Sequence, residues 1–131
     1  MATLVPTLTL VSTDATSGET LNLSVTDSLA LGANDVVLSR TYSPNDVDPG
    51  GVQIFDTNLG KSFIYLKNNH ASLTIHIQAA ADTAESAAWM ELAAGEFAWF
   101  PWAGVVDLFA STGDNGAGIA TNGLEVIIYA V

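Results

Sequence analysis

Apolar and polar residues alternate with a period of two along much of this chain. Leu8 and Leu10 alternate with Thr7 and Thr9. Leu21, Leu23 and Val25 alternate with Asn22, Ser24 and Thr26, and Leu73, Ile75 and Ile77 with Ser72, Thr74, His76 and Gln78. Successive side chains of a strand point to opposite faces, so each run predicts a strand with one apolar face and one wetted face. Further strands are expected near Val36–Tyr42, Val52–Phe55, Phe63–Lys67, Glu96–Phe100, Val105–Ala110 and Leu124–Val131. Turn-forming clusters separate them at Asp14–Gly18, Gly32–Asp35, Ser43–Gly51, Asn68–Ala71 and Gly113–Gly123. Many short strands at such spacing predict an all-β protein: an antiparallel β-sandwich, jelly-roll-like, with little or no helix. The one helical candidate, Ala79–Ala88, is short and alanine-rich, and is expected to be a loop or a single helical turn. The alternation puts Leu21, Leu23, Val25, Ile64, Leu66, Leu73, Ile75, Ile77, Val106, Leu108, Val126 and Ile128 in the core.

Two strands break the rule of one polar face. In the run ending at Trp102, Phe97 and Trp99 share one side while Ala98 and Phe100 share the other. In the last run, Leu124, Val126 and Ile128 oppose Ile127, Tyr129 and Val131. A two-sheet protein leaves one face of each sheet to water. Strands apolar on both faces need a covering loop or another subunit, which makes Phe97, Trp99, Phe100, Trp102, Ile127 and Tyr129 the candidate interface residues.

The chain has 131 residues, and no linker or fixed-period repeat divides it, so one sandwich domain over 1–131 is expected. Fourteen Asp and Glu stand against Arg40, Lys61 and Lys67, a net charge of -11. Nucleic-acid binding depends on Lys and Arg neutralising phosphates, so neither nucleic acid nor an anionic membrane is an expected partner. The acids are dispersed singly and read as a solubilising surface. No stretch approaches the length of a membrane-crossing helix. The opening run lacks a basic start and carries Pro6 inside an alternating pattern, as a first strand does and a signal peptide does not.

Chemistry is sparse. There is no cysteine, hence no disulfide and no thiolate metal site. His70 and His76 are the only histidines; six residues apart and with no third histidine, they read as surface residues and not as ligands. The alternating carboxylates of 45–51 offer oxygens to Ca²⁺, but Pro49 breaks the pattern of a calcium loop, and Asp48-Pro49-Gly50 is a strong turn former. The glycines of 113–118 match neither a phosphate loop nor a dinucleotide fingerprint, and no nucleophile elbow is present. Expectation is therefore no catalytic residue, no metal, no cofactor and no enzyme activity.

Two resemblances follow from particular residues. Gly95 to Gly104, with Pro101 between, resembles the second motif of cupins, whose jelly-roll geometry it would share. The histidine that should follow Gly104 is Val105, so the cupin metal site is not implied. Phe63-Ile64-Tyr65-Leu66-Lys67-Asn68, Leu73-Thr74-Ile75 and Leu92-Ala93-Ala94-Gly95-Glu96-Phe97 with Phe100-Pro101 together resemble small accessory structural proteins of tailed-bacteriophage virions. That resemblance covers about a third of the chain. It implies a compact β-sandwich attached to a capsid or tail, with itself and the major capsid protein or another virion protein as partners. A trimer rests on the resemblance alone. The expected function is a capsid decoration or cement subunit on the outside of the shell. The alternative is a carbohydrate- or receptor-binding module using Trp99 and Trp102 as a sugar-stacking platform.

Overall fold

The computed structural model describes residues 3–12, 21–30, 38–42, 51–79, 88–112 and 123–131. The chain divides into two units, residues 1–33 and 34–131. The sandwich expected over 1–131 is built by strands of the second unit, and the first unit carries strand pairings of its own.

The first unit is a ribbon. Strands β1 (Thr3–Leu4) and β4 (Leu29–Ala30) pair antiparallel, as do β2 (Thr7–Ser12) and β3 (Leu21–Thr26). The register runs unbroken from Thr3 opposite Ala30 to Ser12 opposite Leu21. The ladder is interrupted at Pro6, which has no N–H to give, yet the Pro6 carbonyl still accepts from the Asp27 N–H at 3.1 Å. Leu8 faces Val25 and Leu10 faces Leu23, with Thr7, Thr9, Ser24 and Thr26 on the other side, as the alternation requires. Leu23 and Val25, expected in the core, are exposed. They are not core residues because a two-stranded ribbon has no second layer of its own to bury them.

The second unit contributes β5 (Leu38–Tyr42), β6 (Val52–Phe55), β7 (Ser62–Asn68), β8 (Ile75–Gln78), β9 (Met90–Leu92), β10 (Phe97–Trp102), β11 (Leu108–Ser111) and β12 (Leu124–Ala130). They form two four-stranded antiparallel sheets, ordered β10-β7-β12-β5 and β6-β11-β8-β9. The pairing is nested: β8 with β9, β7 with β10, β6 with β11 and β5 with β12. That is a long hairpin folded over on itself, closed by the β7–β12 and β8–β11 pairs, and it defines a jelly roll. Among the described residues the only helical element is the 3₁₀ turn Thr57–Leu59.

The core lies between the sheets. Ile64, Leu66, Leu124, Val126 and Ile128 of the first sheet meet Ile54, Phe55, Ile75, Ile77, Leu92, Leu108 and Ala110 of the second. These are apolar positions of alternating strands, and fully burying such a side chain stabilises by about 1.5–3 kcal/mol. Leu73 is only half-buried. Val106, expected inside, is 40% exposed because it falls in the bend before β11. The Leu21 side chain lies outside the described part, as do the 45–50 and 113–118 loops and most of the Ala79–Ala88 segment.

Two clasps tie the ends of the sandwich. Asn68 is fully buried at the end of β7. Its amide donates to the Leu73 carbonyl at 2.7 Å and the Leu92 carbonyl at 2.9 Å, and its Oδ1 accepts from the His70 N–H at 2.9 Å. At the other end, the Thr57 N–H donates to Asp107 Oδ1 at 2.8 Å, joining the β6–β7 and β10–β11 connections. Gly104 seals the same junction: its φ is 75°, and a Cβ there would run into the backbone of Gly60.

Candidate functional site

The outer face of the first sheet is built by residues that the pleat turns away from the core. β10 supplies Phe97, Trp99 and Pro101, β7 supplies Phe63, Tyr65 and Lys67, and β12 supplies Glu125, Ile127 and Tyr129. The register places Trp99 beside Tyr65, and Tyr65 in turn beside Ile127. Trp99 stacks on Phe63 with ring centres 5.6 Å apart and planes 16° apart, and meets Tyr129 edge-on at 5.8 Å. Tyr65 and Phe97 lie 6.4 Å apart, tilted by 32°. Such aromatic pairs add about 0.5–1.5 kcal/mol each beyond the area they bury. The rings thus hold one another in place, and at the edge of the face Phe97 remains 64% exposed.

The charged members flank the aromatic ones. Lys67 pairs across the strands with Phe97 on one side and Glu125 on the other. Burial pushes the Tyr65 phenol above its ordinary value, and the negative charge of Glu125 adds to the shift. Its hydroxyl is a hydrogen-bond donor set among aromatic neighbours. Pro101 is tolerated in this ladder because β10 is an edge strand.

The six candidate interface residues do not share one surface. Phe97, Trp99, Ile127 and Tyr129 stand on the outer face. Phe100 and Trp102 turn the other way and pack against the core. There Trp89 stacks on Trp102 at 5.6 Å and 8°, and meets Phe100 edge-on at 5.5 Å. The Trp102 indole N–H donates to the Val106 carbonyl at 3.1 Å. A sugar platform made jointly of Trp99 and Trp102 is therefore ruled out, since an odd spacing in a strand puts the two on opposite faces. Parity alone reveals this in the sequence. Phe63 and Tyr65 are not among the six candidates, although Phe63-Ile64-Tyr65-Leu66 is itself apolar on both faces and the same search applied to β7 finds them.

The histidines occupy structural places. Nδ1 of His70 accepts from the Ser72 N–H at 3.1 Å and the Leu73 N–H at 2.9 Å, which fixes the turn after β7. His76, expected on a wetted face, is buried, as is every residue of β8. β8 is an inner strand of its sheet, and Gly51 approaches its outer side: a Cβ there would lie 3.5 Å from the Gln78 amide nitrogen. Nδ1 of His76 is 3.6 Å from Glu91 Oε1, longer than a hydrogen bond. Among the described residues, no three His, Asp or Glu side chains converge as a metal site would require. A shallow cleft of about 270 Å³ at the β5–β6 edge, lined by Leu38, Tyr42, Ile54 and Leu59 with Gln53 and Asp56, gathers no nucleophile–base pair. Comparison with protein-family models, with curated proteins and with solved structures gives no match.

Proposed function

We propose that this protein is a non-enzymatic structural subunit of a tailed-phage virion. In this reading it is a capsid decoration or cement subunit that docks on the outside of the shell through the outer face of its first sheet. The observation that carries the proposal is the ordered aromatic surface of Phe97, Trp99, Phe63, Tyr65 and Tyr129 with Ile127 beside it, where sandwiches ordinarily carry polar residues. Trp and Tyr anchors of this kind dominate protein interfaces, since they desolvate a large area at low entropic cost. The partner is a protein surface: a net charge of -11 disfavours packaged nucleic acid and anionic lipid. The phage resemblance of the 63–101 region supports the virion as the setting and the capsid shell as the surface.

The test is re-addition of purified protein to virions stripped of it, followed by sedimentation of the particles. Wild-type protein is expected to sediment with the particles. Trp99→Ala is expected to weaken that binding by about tenfold or more, the cost of truncating a central anchor by 1.4 kcal/mol or more. Trp102→Phe, altered on the core side, is expected to bind as wild type does. Circular dichroism checks that each variant keeps its β-structure. Wild-type protein that ignores the particles, or particle binding indifferent to Trp99→Ala, overturns the proposal.

A further inference from the structure

We infer that the open edge of β5 is a strand-addition site for an extended acidic segment of a partner protein, whose carboxylate meets Arg40. The proposal goes beyond the docking role and needs no virion. Among the described strands, each four-stranded sheet has two edges: β10 and β5 in the first, β6 and β9 in the second. An edge strand presents N–H and C=O groups to any further strand, and proteins blunt such edges. Three of the four are blunted by their backbones. β10 carries Pro101, which has no N–H. β9 is three residues long. β6 is irregular, its register against β11 shifting between Leu108 and Phe109. β5 has five residues, no proline and an unbroken register against β12. Its guard is a charge.

The register turns Leu38, Arg40 and Tyr42 to the core side of the sheet, opposite Ile128, Val126 and Leu124. Leu38 and Tyr42 pack on the core, while Arg40 between them is exposed. Its guanidinium stands 5.3 Å from the centre of the Tyr42 ring, a cation–π contact that ties it to the wall of the β5–β6 cleft. Among the described residues the one close approach of opposite charges is His76 with Glu91, so Arg40 has no carboxylate there. A strand that adds to β5 without a counter-charge strips water from Arg40 and leaves it unpaired. A strand that brings Asp or Glu opposite Arg40 gains a charge-assisted hydrogen bond instead. Its residues two positions to either side then fall opposite Leu38 and Tyr42. There the cleft of about 270 Å³ between Leu38, Tyr42, Ile54 and Leu59 takes apolar side chains. The fitting segment therefore alternates: apolar, any residue, acidic, any residue, apolar. Asp56, the carboxylate of the cleft, is engaged as the cap of the 3₁₀ turn and accepts from the Asn58 N–H at 2.8 Å. The β5 strand of a second copy does not fit. Arg40 is the middle residue of β5, so a two-fold antiparallel pairing sets Arg40 against Arg40.

The experiment titrates the isotope-labelled full chain with end-blocked heptapeptides and follows its amide signals by NMR. The first peptide is Thr-Val-Thr-Glu-Thr-Val-Thr, and the second has Lys in place of Glu. The glutamate peptide is expected to shift the amides of residues 38–42 saturably and to bind at least about tenfold more tightly than the lysine peptide. Arg40→Glu, an exposed substitution whose fold circular dichroism checks, is expected to reverse that preference. The glutamate peptide with every backbone amide N-methylated keeps its carboxylate and loses its donors, and is expected not to bind. Absence of saturable shifts in residues 38–42 overturns the proposal. So do equal affinities of the wild type for the two peptides, or an unchanged preference in Arg40→Glu. Equal binding of the methylated peptide means recognition of a carboxylate without strand addition, and shifts of residues 38–42 on concentrating the protein alone mean a second copy on the edge; either overturns it. Trp99→Ala is expected to bind the glutamate peptide as wild type does, so its loss of particle binding bears on the docking role alone.

Discussion

Asn68→Ala is expected to be among the most damaging single substitutions in the sandwich. The side chain is completely buried and makes three hydrogen bonds, to the Leu73 and Leu92 carbonyls and from the His70 N–H. Each contributes about 1 kcal/mol net, and each partner left unsatisfied in a buried place costs about 1–3 kcal/mol. The Leu92 carbonyl lies in a buried setting and pays toward the upper end; the other two lie nearer water. The sum is a loss of about 3–5 kcal/mol. For a folding unit of this size that lowers the melting temperature by about 15–25 °C. Urea unfolding of the full chain followed by circular dichroism measures it, with the midpoint falling and the slope unchanged. Asn68→Asp sharpens the reasoning. It keeps the acceptor for His70 but sets a carboxylate against two carbonyl oxygens, so at neutral pH it is worse than alanine. Those carbonyls raise the introduced carboxyl's folded pKa above its unfolded value of about 3.9. Its stability is then fully present below that unfolded value and lost as pH rises through the folded one. Relative to Asn68→Ala, the aspartate variant should improve as the pH falls. A loss below about 1 kcal/mol for Asn68→Ala, or variants that track each other at every pH, would refute the clasp.

Three further outcomes follow from the same geometry. Gly104→Ala should lose about 2–4 kcal/mol in urea unfolding, from a positive φ and from collision with Gly60. Gly60→Ala, with a φ of 68° and a ψ of -160° but open space at its Cβ, should lose only the conformational part, about 1–3 kcal/mol; a larger loss than Gly104→Ala would deny the close approach. Tyr65→Phe should remove the highest-pH portion of the phenolate absorbance titration, since burial and then Glu125 raise that phenol. The sign is that of any raised group: the stability is complete below the ordinary value near 10 and is lost as pH rises through the folded one, so Tyr65→Phe should also unfold less readily in alkali. Asp107→Ala frees the Thr57 N–H and should cost about 1–2 kcal/mol, checked by the same urea series.

Period-two alternation was enough to read the inner strands. Ile64, Leu66, Ile75, Ile77, Leu108, Val126 and Ile128 are all fully buried where the pattern put them. β9 escaped notice because three residues, Met90–Leu92, are too few to display a period next to an alanine-rich stretch. The polar side of β8 misled for a different reason: alternation reports side-chain chemistry, and His76 and Gln78 are buried despite it. Leu23 and Val25 alternate as well as any core residue, because a two-stranded ribbon and a finished sheet follow the same pattern. The doubly apolar character of β10 and β12 led to the sheet that carries the aromatic face. Which side each aromatic takes needed only odd-and-even counting, whereas the participation of Phe63 and Tyr65 needed the register of β7 against both neighbours.

The nested pairing has a consequence for how the molecule is made. On a ribosome the chain emerges from its N-terminal end, and Leu38 of β5 waits for Ile128 before its ladder can close. β7 likewise lacks one of its two neighbours until β12 appears. Within the sandwich the innermost β8–β9 pair is the first that can form, and it buries little by itself. The nascent sandwich therefore remains open until β12 has been made. It closes in one late, slow event dominated by contacts between distant parts of the chain. In that interval β5 is unpaired and β7 has one open edge, and the dispersed carboxylates keep one unfinished chain from joining the next.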